Sequence, residues 1–131
     1  MSIPITVVGL TLDAGSLIGI DRGTQRMGGL LLAAARRNLP ISVPVGALGQ
    51  VWRNGAVQAR LARFLATENI DIVTLDERAA RAAGELCGRS GHADLIDASV
   101  VLCALANNHV VVTSDPVDLA KLAPRLPLFA A

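Results

Sequence analysis

Two stretches of this 131-residue chain decide its fold: ITVVGLTLD at residues 5–13 and VVVTSDP at residues 110–116. Each begins with apolar and β-branched residues that do not alternate with polar ones, which is typical of a strand buried on both faces. The first stretch ends in Asp13, and the second reaches Asp115 after its apolar run. If the two strands are parallel neighbours, both carboxylates lie at the edge of the sheet where α/β proteins bind ligands.

The rest of the chain alternates between strand and helix patterns. Strands are predicted at 5–12, 41–43, 70–74, 109–114 and 126–129, and helices at 14–22, 25–38, 44–52, 56–68, 77–87, 95–107 and 116–123. In the helix at 56–68 we expect Val57, Leu61, Phe64 and Leu65 to point inward and Gln58, Arg60 and Arg63 outward. Such alternation predicts an α/β fold with a parallel sheet and helices on both faces, formed as one domain over residues 1–131.

Composition excludes several classes of protein. The net charge of +1 creates no overall field toward nucleic acid or membranes, and only three aromatic residues are present among 52% hydrophobic ones. No apolar run reaches the roughly 18 residues of a membrane helix, and the N-terminus lacks a signal-peptide pattern. We therefore expect a cytoplasmic protein with no membrane association, in which Cys87 and Cys103 are reduced thiols.

Acidic residues gather at the predicted ends of elements. Asp13 and Asp115 follow strands, whereas Asp94 and Asp97 stand where a buried helix begins, and Asp118 follows Asp115 closely. Any one of these could simply cap a helix. Together they predict a carboxylate cluster, which needs cations to stay ionised and whose hard oxygen ligands suit Mg²⁺ or Mn²⁺.

These motifs resemble the PIN-domain nucleases, in particular the VapC-like toxins of toxin–antitoxin pairs. The similarity lies in LDAGS at 12–16, DLIDA at 94–98 and VTSDPVDL at 112–119, and their order and spacing agree across nearly the whole chain. The resemblance implies a three-layer α/β/α sandwich around a parallel sheet of four to five strands. It also implies Mg²⁺ or Mn²⁺ held by Asp13, Asp94 and Asp115 with Asp97 joining or supporting them, hydrogen bonds from Ser16 and Thr113 that steady the cluster, and internal cleavage of RNA.

One position departs from the family pattern. The family usually carries a glutamate on the helix after the second strand, and Gln50 in ALGQVWR (47–53) stands at that place. An amide oxygen carries no charge and binds a metal more weakly than a carboxylate. Either Asp97 replaces the missing charge, or the chain is a catalytically weak or silent PIN-like domain that binds RNA or a protein partner.

Partners follow from the resemblance as well. It implies a cognate antitoxin that lays a segment across the acidic groove, and a homodimer. Arg53, Arg60 and Arg63 lie on or near one helix face and are candidates for RNA phosphate contacts, although a solvated face explains three charges equally well. His92 lies two residues from Asp94 and could ligate a metal or act as a base, but a loop histidine for which no partner is predicted is more often neither.

A small-molecule phosphatase or a phospho-acceptor domain is a third hypothesis, because both also place aspartates at strand ends. The phosphatase motif needs a second acid where this chain has Gly15. A phospho-acceptor domain needs a lysine at a late strand end, whereas Lys121 falls within the last predicted helix. The nuclease interpretation is therefore preferred.

Overall fold

The computed structural model describes residues 2–131 and contains a five-stranded sheet in which every strand pair is parallel. The strands are β1 (Leu10–Leu12), β2 (Ile41–Pro44), β3 (Ile70–Val73), β4 (Val110–Thr113) and β5 (Leu128–Ala130). Their order across the sheet is β3-β2-β1-β4-β5. This confirms the predicted α/β class and the larger of the two expected strand numbers.

Seven helices are present among residues 2–131: α1 (Ala14–Arg22), α2 (Gln25–Arg36), α3 (Val45–Val51), α4 (Ala59–Leu65), α5 (Glu77–Ser90), α6 (Leu95–Asn107) and α7 (Pro116–Leu122). The prediction of α6 agrees at both ends. Helix α5 runs past the predicted end near Cys87, because the residue that turns to the left-handed conformation is Gly91, with φ of 71°. A glycine adopts that conformation without steric cost and so ends the helix there.

The connections place helices on both faces of the sheet. Helix α1 packs against α2, α3 and α4, whereas α5, α6 and α7 pack against one another. The chain runs outward from β1 through β2 to β3, and it then crosses back to form β4 on the other side of β1. The order therefore reverses between β1 and β4, and a doubly wound sheet opens its ligand crevice at the carboxyl ends of such a strand pair.

The predicted first strand is wrong over residues 5–9. Ile5 is 89% exposed and Val8 is 54% exposed, so this segment is not a strand buried on both faces. Its backbone is instead held by one side chain from beyond α2. The guanidinium of Arg37 donates to four carbonyl oxygens at 2.9–3.2 Å, those of Ile3, Pro4, Ile5 and Val7. Because carbonyl groups need partners, this side chain substitutes for the missing neighbouring strand.

The predicted start of α4 is also wrong, as is the facing of two residues before it. The other predicted facings are confirmed, since Leu61 is buried, Phe64 and Leu65 pack against the core, and Arg60 and Arg63 are exposed. The helix begins at Ala59, Val57 is 78% exposed, and Gln58 is buried instead of facing outward. The Gln58 Oε1 accepts the backbone N–H groups of Arg53 at 2.7 Å and Asn54 at 3.0 Å, and its Nε2 donates to the Val51 carbonyl at 3.0 Å. The buried amide thus pairs two N–H groups and one carbonyl of this turn, which outweighs the helical pattern.

An aliphatic core lies between the sheet and the helix layers. The side chains of β1 and β4 are buried throughout, as expected for the two central strands. No buried side-chain nitrogen or oxygen within the part of the chain that the structure describes lacks a hydrogen-bond partner. Within the same residues, no helix has the length and apolar character needed to cross a membrane.

Candidate active site

Asp13 lies at the carboxyl end of β1 and is buried, with 6% of its surface exposed. Its backbone N–H donates to the Val112 carbonyl of β4 at 3.3 Å, which holds it beside the end of that strand. Its Oδ1 accepts the Ser16 N–H at 2.9 Å and caps α1, while the Ser16 Oγ donates to the Asp13 carbonyl at 2.9 Å. The cap fixes the carboxylate but uses only one of its oxygens, so Oδ2 remains available to a ligand.

Asp115 follows β4 across the switch point, and its exposed side chain does not cap α7. Its backbone N–H donates to the Oγ1 of the buried Thr113 at 2.8 Å. A hydrogen bond with Asp118 raises the pKa of Asp115, as do lesser effects of desolvation and of the Asp118 and Asp13 charges. The pKa of Asp118 is lowered by that same bond and by one from Lys121. The two carboxylates therefore share negative charge at this edge.

The start of α6 separates two roles that the sequence could not distinguish. Asp94 is an exposed N-cap whose Oδ1 accepts the N–H groups of Ile96 at 2.9 Å and Asp97 at 3.0 Å. Asp97 lies in the first turn and is half-buried. Desolvation raises the pKa of Asp97, and the charges of Asp94 and Asp13 raise it further, against opposing contributions from His92. Asp97 thus lies within electrostatic range of Asp13. Asp94 caps α6 through Oδ1 alone, as Asp13 caps α1.

His92, which the sequence analysis set aside for lack of a partner, has one beside this site. Its Nε2 lies 3.2 Å from the Asp97 Oδ2, and its side chain is only 14% exposed. The backbone N–H of His92 donates to the Ser90 Oγ at 3.3 Å, which fixes the loop between α5 and α6. The charge of His92 also lowers the pKa of Asp118. Its position two residues before a helix N-cap was the available signal, but a partner on the first helical turn was not apparent from the sequence.

Neighbouring carboxylates contribute to the raised pKa of Asp97 and of Asp115 without forming a closed cage. Among residues 2–131, no group of three or more His, Cys, Asp or Glu side chains is arranged so that it could hold a metal ion. The donor chemistry nevertheless suits a hard divalent cation, because Asp13, Asp97 and Asp115 offer only oxygen. Desolvation is the main cause of the raised pKa of Asp97, and a hydrogen bond with Asp118 is the main cause for Asp115; neighbouring negative charges, which a cation would neutralise, raise both further.

Gln50 lies on α3, whose first turn meets the first turn of α6. A Cβ atom on Gly46 would collide with the Ile96 side chain, so only glycine permits this approach. Gln50 follows Gly46 by one helical turn and occupies the same face of α3. Its side chain is exposed and makes no hydrogen bond to any other residue that the structure describes. Gln50 carries no charge, so it neither neutralises the negative charge of the aspartates nor adds to it.

The three arginines proposed as RNA contacts are not gathered around the aspartates. Arg53 donates to two carbonyl oxygens near the end of its own helix, at 2.7 and 3.2 Å. Arg60 and Arg63 line a different cleft, together with Ile41 and Ile70. These isoleucines are the first residues of β2 and β3, so this cleft lies toward the amino edge of the sheet, opposite the acidic edge.

Comparison with known proteins gives structural matches only. No protein-family model matches the sequence, and no curated protein sequence matches it significantly. A chain of the VapBC2 structure from Rickettsia felis, bound to a promoter DNA fragment, superposes with a TM-score of 0.68 at 19% identity, covering 93% of this chain and 98% of that one.

Two further structures give similar values. A toxin–antitoxin complex from Klebsiella pneumoniae matches with a TM-score of 0.68 at 15% identity, covering 92% of this chain and 96% of that one. DNA-bound VapBC from Salmonella typhimurium matches with a TM-score of 0.67 at 16% identity, covering 95% and 98%. At these identities the likeness establishes the architecture, and it confirms that the chain has the PIN-like fold of VapC structures.

Proposed function

We propose that this protein is a divalent-metal-dependent endoribonuclease and the toxin of a toxin–antitoxin pair. The observation that carries the proposal is the placement of the aspartates. Asp13 ends β1 with its backbone N–H bonded to Val112 of β4, and Asp115 follows β4 at the same edge. The charge of Asp13 is also among the smaller causes that raise the pKa of Asp97 on α6 and of Asp115. Carboxylates held together in this way at a ligand-binding edge support a cation site.

Asp13, Asp97 and Asp115 are the proposed ligands of Mg²⁺ or Mn²⁺. When bound, such an ion activates a water molecule and stabilises charge on the scissile phosphate. Asp115 is exposed and makes no cap, so its side chain is free to rotate toward the other two. Asp94, which the resemblance implied as a ligand, is proposed instead to fix the N-terminus of α6 and to add negative charge beside Asp97. Asp118 adds negative charge beside Asp115.

The surrounding residues orient these carboxylates. Ser16 and the backbone of β4 fix Asp13, and Thr113 fixes the backbone of Asp115. The His92 ring contacts one oxygen of Asp97 and leaves the other to the site. Hydrogen-bonded ligands of this kind lose little side-chain freedom when a cation binds, and substitution of such supporting partners typically costs about 10–100-fold in metal affinity.

The antitoxin is proposed as the natural inhibitor of the acidic edge. The structures with the same fold include VapBC and toxin–antitoxin complexes, which supports a partner of that kind. A lysine or arginine on the antitoxin would supply the positive charge that the carboxylates lack. A homodimer remains a prediction of the sequence resemblance.

Cleavage of a mixed RNA pool tests the proposal. We expect cuts in Mn²⁺ that disappear in EDTA and in Asp97→Asn, but persist in Asp71→Asn, which removes an exposed acid from the edge strand β3. Cuts that survive both EDTA and Asp97→Asn come from a contaminating nuclease and count against the proposal. An absence of cuts under all conditions leads to the second candidate.

The second candidate is a silent PIN-like domain that binds RNA or a protein. It is favoured by Gln50 and by the absence, among residues 2–131, of three acidic or histidine side chains already arranged around one ion position. Calorimetric titration with Mn²⁺ separates the candidates. Binding that is weakened in Asp97→Asn supports the nuclease, and no binding by the unmodified chain supports the silent domain. Restoration of cleavage by Gln50→Glu would show that Gln50 causes the lack of catalytic activity.

A further inference from the structure

A second cleft begins beside the acidic edge and carries two arginines that the sequence analysis did not select. Its walls include Gly15 and Ser114 at one end and Arg22 and Arg26 at the other, and its volume is about 390 Å³. We refer to it as the arginine cleft. Ser114 directly precedes Asp115, and Ala131, which also lines the cleft, pairs with Thr113 at the carboxyl end of β4. The cleft therefore opens on the same side of the sheet as the aspartates.

Glycines on one face of α1 form the floor of this cleft. Gly15, Gly19 and Arg22 follow one another at helical spacing and lie on one side of the helix. A Cβ atom on Gly15 would collide with the Ser114 Oγ and lie 3.5 Å from the Asp13 Oδ1, whereas one on Gly19 would lie 2.7 Å from the Met27 side chain. The first of these distances shows that the floor of the cleft reaches the Asp13 carboxylate.

The guanidinium groups of Arg22 and Arg26 have no partner within the described part of the protein. Within residues 2–131, neither Arg22 nor Arg26 has an acidic partner within 4 Å or a side-chain hydrogen bond, and both are exposed. Arg37 and Arg53, in contrast, donate to backbone carbonyls at 2.7–3.2 Å. Guanidinium groups without partners that face a groove are suited to bind phosphate.

The distance between Gly15 and Arg22 along α1 matches a short stretch of RNA strand that continues beyond the proposed cleavage site. Gly15 and Arg22 are seven residues apart, which at a rise of about 1.5 Å per residue is roughly 10 Å. At roughly 3.4 Å of rise per nucleotide, a stacked strand covers this length with about three nucleotides. The cleft has no exposed aromatic side chain on which bases could stack, so contacts to the phosphates, which are independent of sequence, are the chemistry it offers.

We propose that the arginine cleft binds the phosphate backbone of single-stranded RNA leading away from the acidic site, with Arg22 and Arg26 each contacting a phosphate. This rests on the proposed function, because it takes the strand to be the one that is cut. It also replaces Arg63 as a phosphate contact, since Arg63 lines a cleft toward the opposite edge of the sheet. The Arg60 guanidinium, in contrast, lies against Gly23, directly after Arg22.

Salt-dependent binding tests this assignment. The probe is a short, labelled, mixed-sequence single-stranded RNA, and every protein carries Asp97→Asn so that the strand stays intact. Arg22→Gln/Arg26→Gln should weaken binding by roughly tenfold and reduce the slope of log affinity against log salt by about 1.4, which corresponds to two lost phosphate contacts. The matched control is Arg36→Gln/Arg78→Gln, which removes two exposed charges from α2 and α5 and should leave both quantities nearly unchanged.

Kinetics provide a second measurement on the active chain. Arg22→Gln/Arg26→Gln should raise KM for RNA cleavage with kcat almost unaltered, because phosphates remote from the cut are bound equally in the ground and transition states. Both double variants should unfold at the same temperature as the parent. Equal weakening of RNA binding by the two variants, or no weakening by the first, would overturn the arginine cleft alone. Failure of the parent chain to bind RNA at all would overturn the proposed function with it.

Discussion

The two ends of β1 and β4 use polar residues in opposite ways. Just before β4, the buried His109 ring forms a 3.0 Å hydrogen bond through Nδ1 with the Thr11 Oγ1 of β1. Gly9 leaves the space for that ring, since a Cβ atom there would collide with it. At the carboxyl ends of the same strands, Asp13 and Asp115 add negative charge to each other's surroundings. One end pairs its polar groups, and the other keeps like charges together.

This difference separates stability from function within one pair of strands. A buried, hydrogen-bonded histidine and threonine satisfy each other and hold the sheet. Carboxylates with a raised pKa cost stability unless a cation joins them, and such strain tends to collect at functional sites. Substitutions at the amino end should therefore change folding, and substitutions at the carboxyl end should change metal binding and cleavage.

The largest expected effect is on cleavage, from Asp13→Asn. Asparagine is an equally good N-cap, so α1 keeps its bond from Ser16. Loss of one proposed ligand should lower the rate of Mn²⁺-dependent RNA cleavage by at least about 100-fold, which exceeds the usual effect of losing a supporting partner. The thermal unfolding midpoint should stay equal or rise, since repulsion with Asp97 and Asp115 decreases. A fall in both activity and stability would mean that the main role of Asp13 is to stabilise the fold.

A stability loss of about 1–3 kcal/mol is expected from Gly9→Ala, because the new methyl group forces the His109 ring to move in a packed core. Gly84→Ala is the control, since nothing lies within 4 Å of its added atom and it is exposed on α5. That change should stabilise by about 0.5–1 kcal/mol through helix propensity. Urea unfolding measures both. Equal stability of the two variants would mean that the packing of His109 against Gly9 does not contribute to stability at the amino end.

Asp94 and Asp97 allow the comparison to be made within one helix turn. Asp94→Ala should cost about 1 kcal/mol of stability, because two N–H groups at the start of α6 lose their acceptor, whereas Asp94→Asn should cost little. Neither should change Mn²⁺ affinity by as much as Asp97→Asn does. Calorimetry beside thermal unfolding gives both values. Stronger loss of Mn²⁺ binding in Asp94→Asn would restore Asp94 as the ligand.

The smallest effect concerns pH. Desolvation lowers the pKa of His109 below its ordinary value of 6.5. The unfolded chain therefore takes up a proton at this residue before the folded chain does, and stability that is complete above about pH 6.5 is lost as the pH falls toward the folded pKa. In His109→Gln the stability should decrease less between pH 7 and pH 5. Parallel pH profiles of the two proteins, measured by urea unfolding, would contradict this.

Much of the architecture could be predicted from local patterns. Helix α6 was predicted at both ends because its apolar run is framed by Asp94 and by Asn108, which adopts the left-handed conformation with φ of 56°. The parallel class of the sheet followed from alternation alone. The prediction of a strand over 5–9 was wrong. An apolar stretch has the same sequence pattern whether its carbonyl groups accept hydrogen bonds from another strand or from Arg37. The prediction that Gln58 faces outward failed because the hydrogen-bond partners of its amide come together only in the folded turn.

The sequence by itself determined which residue types stand at the ends of β1 and β4 and where α6 starts, because caps, strand ends and apolar periodicity are local properties. Only the tertiary structure decided the strand order that makes these ends neighbours, the hydrogen bonds of Asp94 within the cap of α6, and the contact of His92 with Asp97. Those features depend on distances between segments far apart in the chain or on the direction of a side chain in a turn, and no residue pattern carries that information.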